Sequence, residues 1–307
     1  MKKNWSFIIL ILLSTSTVFG QSNLLNAVVP QDIGKLNDQQ LAASDNEPLA
    51  YGYVDDRDVM WSKTVWEKIA LDERINFPFY YPVVEIDPTR KPLFDVLWEN
   101  IQNGNITEIY KDGYFREKHS IELIQEYLQD RQYNEIGREK FNAGVAIDES
   151  PTSQDYTTTN IGRDEIDQYL IKGTWYFDKR LGELKYRLLG IAPTAVVASV
   201  RANNDAQDVP MDIDELDAVP LFWVWFPDAR ESLNNAEIFN SRNASQPITF
   251  DLMLNTRRFN SVIYKEENPF NDREVKEYIY EDALRQLLES ERIKNVIRDY
   301  EQDMWNN

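Results

Sequence analysis

The chain has 307 residues, 42% of them hydrophobic and 12% aromatic, with no cysteine and a formal net charge of −19 at pH 7. The apolar content supplies a substantial core and excludes disorder for the bulk of the chain, and the length fits one large or two small domains. The acid excess repels nucleic acid and anionic headgroups, excluding a role on DNA, RNA or a membrane surface, and the absence of cysteine excludes disulfides, thiolate catalysis and cysteine-based metal sites.

Residues 1–20 read as a secretory signal peptide: Lys2 and Lys3, an apolar run from Phe7 to Leu13, then small Val18 and Gly20 ahead of Gln21. An uncleaved N-terminal anchor is the other reading, although the apolar run is short for a bilayer span. With no cysteine after the cleavage site, a lipid anchor on cysteine is excluded as well. Two of the 33 basic residues, Lys2 and Lys3, leave with this segment, so a chain starting at Gln21 carries −21. Residues 21–50, rich in Gln, Asn, Asp and Ala, are expected to form a flexible arm.

Residues 51–147 form a first α+β half. Asp58 is placed as the N-cap of a helix in which Trp61, Val65 and Ile69 recur at i, i+4 and i+8, with Trp66 beside them. The stretch Ile75–Pro82 is expected to be an extended aromatic connector, because Pro78 and Pro82 restrict their predecessors. The next helix has Pro92 in its first turn, a stripe of Phe94, Leu97, Trp98 and Ile101, and Gly104 as the left-handed residue that ends it. A short strand, Ile106–Tyr110, is stopped by Asp112-Gly113, and a further helix covers Ser120–Leu128.

Residues 148–160 are polar and are expected to be a linker. A strand-rich second half, residues 161–270, follows. Thr174–Phe177 is β-branched and aromatic, and Leu184, Tyr186 and Leu188 alternate with Lys185 and Arg187 in a strand that Gly190–Pro193 should end. Ala195–Val200 restarts an apolar run. Leu221–Phe226 is the most hydrophobic strand, with Trp223 and Trp225 on one face and Phe222, Val224 and Phe226 on the other. Thr249–Leu254 and Ser261–Tyr264 read as strand or short helix.

Residues 271–307 form a helical segment with Asn271 as N-cap, Glu274 at N3, a favourable Asp272–Lys276 spacing, and a kink or break near Ser290. A faint echo relates Phe94–Leu97, followed by Ile109-Tyr110, to Phe250–Met253, followed by Ile263-Tyr264. Duplication and coincidence both account for it. The fold class is therefore α+β: two loosely repeated α/β halves with a long C-terminal helical segment.

The residues give no catalytic, cofactor-binding or metal-ligating set. The single histidine, His119, stands at a helix start and has no Gly-x-Ser-x-Gly nucleophile to serve. No phosphate-binding glycine loop occurs. Asp212, Asp214 and Asp217 resemble the start of a calcium loop but lack its glycine and terminal glutamate. Trp61, Trp66 and Trp98 fall on apolar stripes and read as core. A carboxylate pair in a tryptophan-lined sugar cleft stays open, because 52 acids and 8 tryptophans mark no particular pair. A periplasmic chaperone with an exposed apolar groove is a third reading. The clearest interface candidates are the acidic run Asp205, Asp208, Asp212, Asp214, Glu215 and Asp217, which is either a solvated loop or an acidic edge for a basic partner, and the Trp223–Trp225 pair.

An ordered series of short motifs resembles the GldN family of gliding-motility proteins, called PorN in non-gliding relatives. The series is Trp61-Ser-Lys-Thr-Val-Trp66-Glu, Glu73-Arg-Ile-Asn-Phe-Pro78, Tyr81-Pro82, Pro92-Leu-Phe-Asp-Val-Leu97 and Ile106-Thr-Glu-Ile-Tyr110. Trp175-Tyr-Phe-Asp-Lys-Arg180 and Arg187-Leu-Leu-Gly-Ile-Ala-Pro193 complete it. It spans about Tyr51 to Tyr264. The resemblance implies a non-enzymatic periplasmic subunit of the type IX secretion system, without cofactor or metal. It also implies self-association in a multi-copy ring with a GldK/PorK-like outer-membrane lipoprotein, and contact with a GldM/PorM-like inner-membrane protein. No nucleic-acid partner and no membrane insertion of its own come with it.

Overall fold

The computed structural model describes residues 47–84, 90–146, 154–196, 218–238, 248–280 and 282–305. The signal peptide 1–20, most of the 21–50 arm, residues 148–153, residues 197–200 and the acidic run 205–217 lie outside the described residues. The chain divides into two units, of which one is made of Pro48–Ile238 and Ile248–Asn307 and holds the elements that follow.

Strand β1 is Val59–Ala70, where the apolar spacing suggested a helix. Positions 61, 65 and 69 share one face of a strand as well as one face of a helix, and the β-branched and aromatic content of the stretch favours the pleated surface. Asp58 caps no helix; Asp55 caps a 3-10 turn, Asp56–Asp58, that leads into the strand. Residues 74–80 are likewise not extended. A 3-10 turn, Arg74–Asn76, runs into helix α1, Phe77–Tyr80, whose first turn holds Pro78 where a missing N–H costs nothing. Tyr81 has the extended backbone expected before Pro82, through a cis peptide.

Helix α2, Leu93–Gln102, buries Leu93, Phe94, Val96, Leu97 and Ile101; Pro92 sits at its N-cap and Gly104, at φ +74°, follows its end. Then come β2, Ile109–Tyr110, α3, Ile121–Tyr127, β3, Gln129–Tyr133, and α4, Glu135–Asn142. Tyr156–Asn160, expected within the linker, is a strand, β4, paired antiparallel to β3 with Gln129 opposite Asn160. Its threonines are polar but β-branched, which suits them to a strand.

Strands β5, Gln168–Asp178, and β6, Glu183–Ala195, form a long antiparallel hairpin. Gly190–Pro193 does not end β6. Gly190 pairs opposite Lys172, a register shift leaves Leu189 as the extra residue, and the Pro193 carbonyl accepts from the Leu221 N–H at 2.9 Å. Strands β7, Val219–Pro220, and β8, Trp223–Trp225, follow; Phe226 already opens helix α5, Phe226–Asn234. Strands β9, Glu237–Ile238, and β10, Ile248–Thr249, pair with each other. Thr249 then caps helix α6, Phe250–Asn255, which leads to strand β11, Val262–Glu266.

The C-terminal segment consists of two helices, α7, Val275–Tyr278, and α8, Ala283–Trp305. Asn271 and Asp272 have positive φ, so neither is an N-cap; Glu274 takes that position. The break falls between Tyr278 and Ala283. Ser290, where it was expected, is fully buried in mid-helix.

The central antiparallel sheet has the order β11-β1-β5-β6-β8-β2, with β7 beside β6. Strands from both sides of residues 148–160 therefore share one sheet. The two echoing segments become helices α2 and α6, each followed by a strand at an opposite edge. One face packs Ile69, Tyr169, Ile171, Leu188, Ile191, Phe222 and Val224 under α2, α5 and α6. Toward β11 the cover passes to α7 and α8, with Val65, Ile263, Val275, Ile293 and Ile297 together. Both sheet edges are covered. The Ile263 N–H donates to Ser290 Oγ and Lys294 donates to the Ser261 carbonyl, each at 2.8 Å, while the Ile109 carbonyl accepts from His119 N–H at 2.8 Å. Covered edges resist strand addition by another chain.

The N-terminal segment is held by arginines. Arg187 and Arg230 both place their guanidinium carbons 4.0 Å from the Tyr51 ring centroid. Arg230 also pairs with Asp251 at 2.9 Å and donates to the Leu49 carbonyl. Burial pushes the Tyr51 phenol up to about 12.

Candidate partner-docking face

The second face of the sheet carries the sequence's tryptophan candidates. Side chains alternate along a strand, so Trp223 points away from Phe222 and Val224 and packs with Trp66, Leu170 and Ala192. Trp223 is only 3% exposed, and Trp225 is half-buried. Neither is an open platform, because a hairpin loop covers them.

That loop springs from edge strand β2. Asp112 turns the chain, its side chain accepting from Tyr114 N–H at 2.8 Å and its carbonyl from Phe115 N–H at 3.2 Å; the return closes through Lys111 N–H to the Glu117 carbonyl at 3.0 Å. The Phe115 ring stands edge-on to Tyr110, Trp223 and Trp225, at centroid distances of 5.4, 6.2 and 4.9 Å. Two glycines allow this approach. A Cβ on Gly190 would lie 2.4 Å from Phe115 Cζ, and one on Gly113 would lie 3.0–3.2 Å from the Trp66 and Trp223 rings.

Tyr114 lies tilted on Trp66 at 5.7 Å and donates its hydroxyl to Asp272 at 3.1 Å. Three cations gather on its ring: Arg116 Cζ, Lys265 Nζ and Lys172 Nζ, at 4.9, 4.9 and 5.2 Å from the centroid. The two lysines also sit over Trp66, at 5.0 and 4.7 Å, and Lys172 donates to the Gly113 carbonyl at 2.8 Å. Burial lowers the Lys172 pKa, against the pull of Glu267, Asp112 and Asp272. Chemically the face offers aromatic walls and partly dehydrated positive charge.

Sequence reasoning missed Tyr114, Phe115, Lys172 and Lys265. The Asp112-Gly113 turn followed by two aromatics was a signal for a loop folding back on a sheet. The placing of Lys172 and Lys265 on either side of Trp66, from β5 and β11, left no trace in the linear order. The acidic candidates Asp205, Asp208, Asp212, Asp214, Glu215 and Asp217 lie outside the described residues. His119 is half-buried at the start of α3. Burial and Lys111 lower its pKa, and its Nδ1 has no partner among the described residues.

A second polar cluster lies beneath α8. Glu67, 1% exposed, accepts from Arg257 at 3.0 and 2.6 Å and also from the Ser261 hydroxyl. A cleft of about 310 Å³ opens beside it, walled by Trp175, Lys294, Arg298 and Glu301. The Arg257 fork is already filled by Glu67, which gives this pair a structural role. Among the described residues no three His, Asp or Glu side chains converge as a metal site, and no helix is long and apolar enough to cross a membrane.

The family model described as "Gliding motility associated protein GldN" matches residues 54–306. No curated protein matches the chain.

Proposed function

Because the chain belongs to the GldN family, a structural component of gliding motility and type IX secretion, we propose that it is a non-enzymatic subunit working in the periplasm. In this reading several copies form a ring with an outer-membrane lipoprotein of the GldK/PorK type and engage an inner-membrane protein of the GldM/PorM type. The family match over residues 54–306 carries the reading. Three features support it: the export-type N-terminus, the absence of cysteine, and covered sheet edges that direct assembly to side-chain surfaces instead of strand addition.

Copies of this charge repel one another, so the lipoprotein's contacting surface should be basic or cations should screen the ring. The test is light scattering after size exclusion, with the mature chain alone and mixed with the lipid-free lipoprotein. A stable mixed complex that weakens as salt rises is the expected result. Two species that pass each other without association would count against the reading, and a salt-insensitive complex would replace charge by apolar contact.

A further inference from the structure

Among the described residues, more than half of the cations pair with carboxylates, as Lys63 with Glu266, Lys118 with Glu108, Arg163 with Asp95, Arg230 with Asp251 and Arg257 with Glu67. Arg116, Lys172 and Lys265 do not. None of the three forms an ion pair among the described residues, although the chain holds 52 acids. All three are held instead on the Tyr114 ring. Cation–π contacts fix an ammonium without neutralising it. Lys172 has used one donor on the Gly113 carbonyl and keeps two, and Lys265 has only ring contacts.

The geometry points to a carboxylate-binding site at Tyr114, in which Lys172, Lys265 and Arg116 receive an acidic side chain from an acidic segment of a partner protein while the aromatic rings wall its apolar stem. The positions of nearby acids choose carboxylate over phosphate. Asp112 holds the Tyr114 N–H and Asp272 its hydroxyl, and Glu267 acts with both on Lys172, so three negative groups border the site. A phosphate dianion would meet all three at close range and has no apolar part for the rings, whereas a side-chain carboxylate brings one charge and a stem for the aromatic walls, and ion pairs beside apolar surface are less screened than those in open water. This inference concerns the isolated chain and stands or falls without the ring.

The test uses the mature chain and a fluorescein-labelled octaglutamate, read by anisotropy at physiological salt. The expected result is saturable binding that falls at least about tenfold in Lys172→Gln/Lys265→Gln, as for loss of two charge-assisted contacts. Lys179→Gln, an exposed lysine off this face, should leave it unchanged. Inorganic phosphate should compete more weakly than free glutamate. No binding, equal binding by the double variant, or stronger competition by phosphate each overturns the proposal. If the double variant does not fold, acylation of the native chain read by mass spectrometry decides. Octaglutamate that slows labelling of Lys172 and Lys265 supports the site, and unchanged labelling overturns it.

Discussion

Arg257→Ala should destabilise the fold by about 3–5 kcal/mol, because it strands the Glu67 carboxylate in the interior. The side chains of Glu67 and Arg257 are 1% and 23% exposed, so water does not screen this pair as it screens a surface bridge. Both guanidinium nitrogens in contact are engaged, at 3.0 and 2.6 Å, and the group also lies 4.2 Å from the Tyr186 ring. The backbone of Arg257 adds a second, separable effect. At φ +51° an L-residue is strained by ~1–2 kcal/mol, which glycine relieves and alanine does not. Arg257→Gly should therefore be less harmful than Arg257→Ala by about 1 kcal/mol. Replacing both partners by apolar groups, Glu67→Leu with Arg257→Met, removes the stranded charge and should cost much less than the two single losses together. Urea unfolding followed by tryptophan fluorescence measures each variant, and a loss of this size moves the midpoint by more than about 1 M. A cost for Arg257→Ala below about 1 kcal/mol, or strictly additive losses in the double variant, would refute the argument that a desolvated carboxylate is held here.

Three further outcomes follow from single sites. Gly173→Ala would put a Cβ 2.1 Å from the Tyr186 hydroxyl oxygen, a ring fixed against Trp175 and Arg257, and should cost ~1–3 kcal/mol by overpacking in the same unfolding assay. Ser290→Ala leaves the Ile263 N–H without its acceptor at the sheet edge. It should cost about 1–3 kcal/mol and speed amide exchange at Ile263 more than at Ile171 in mid-sheet. His119 has a folded pKa depressed, first by burial and then by Lys111, below the ordinary value of about 6.5. The folded state therefore binds this proton at lower pH than the unfolded chain. Its contribution to stability is present above about pH 6.5 and is lost as pH falls through the folded value. His119→Gln should flatten the stability profile below about pH 6.5, and an unchanged slope would show that the imidazole is not shielded.

Legibility in the sequence followed the range of the interactions. Helix α2 was readable to its end because its stripe, Leu93 to Ile101, and the stop at Gly104 are all local. The alternation in β8 was equally local, and Phe222 and Trp223 do lie on opposite faces. Strand β1 failed because a spacing of four residues satisfies both periods; only its neighbours β5 and β11 decide the matter, and they lie more than ninety residues away. The break before Ala283 was misplaced for the opposite reason. Ser290 looks polar in a helical stripe, yet it is the residue that seals the sheet edge. The candidate site was half legible. Its tryptophans were visible as a pair, while the loop that covers them and the lysines that meet at Tyr114 are products of sheet order.

The distribution of charge then bears on how such a chain can assemble. A formal charge of −19 makes like-with-like packing costly over distances up to the Debye length, ~8 Å in physiological salt. Attraction has to come from apolar contact or from cations that are not paired with carboxylates. The sheet cannot supply it by growing, since Ser290 and Lys294 close one edge and the loop ending at His119 closes the other. Around Tyr114, three cations without an ion pair among the described residues coincide with aromatic surface. An acidic neighbour approaching there meets three cations set among Asp112, Asp272 and Glu267, a far more balanced charge than the acid excess of the chain as a whole. Selectivity of this kind depends on position, because the same neighbour is repelled by the chain's overall acidic charge elsewhere.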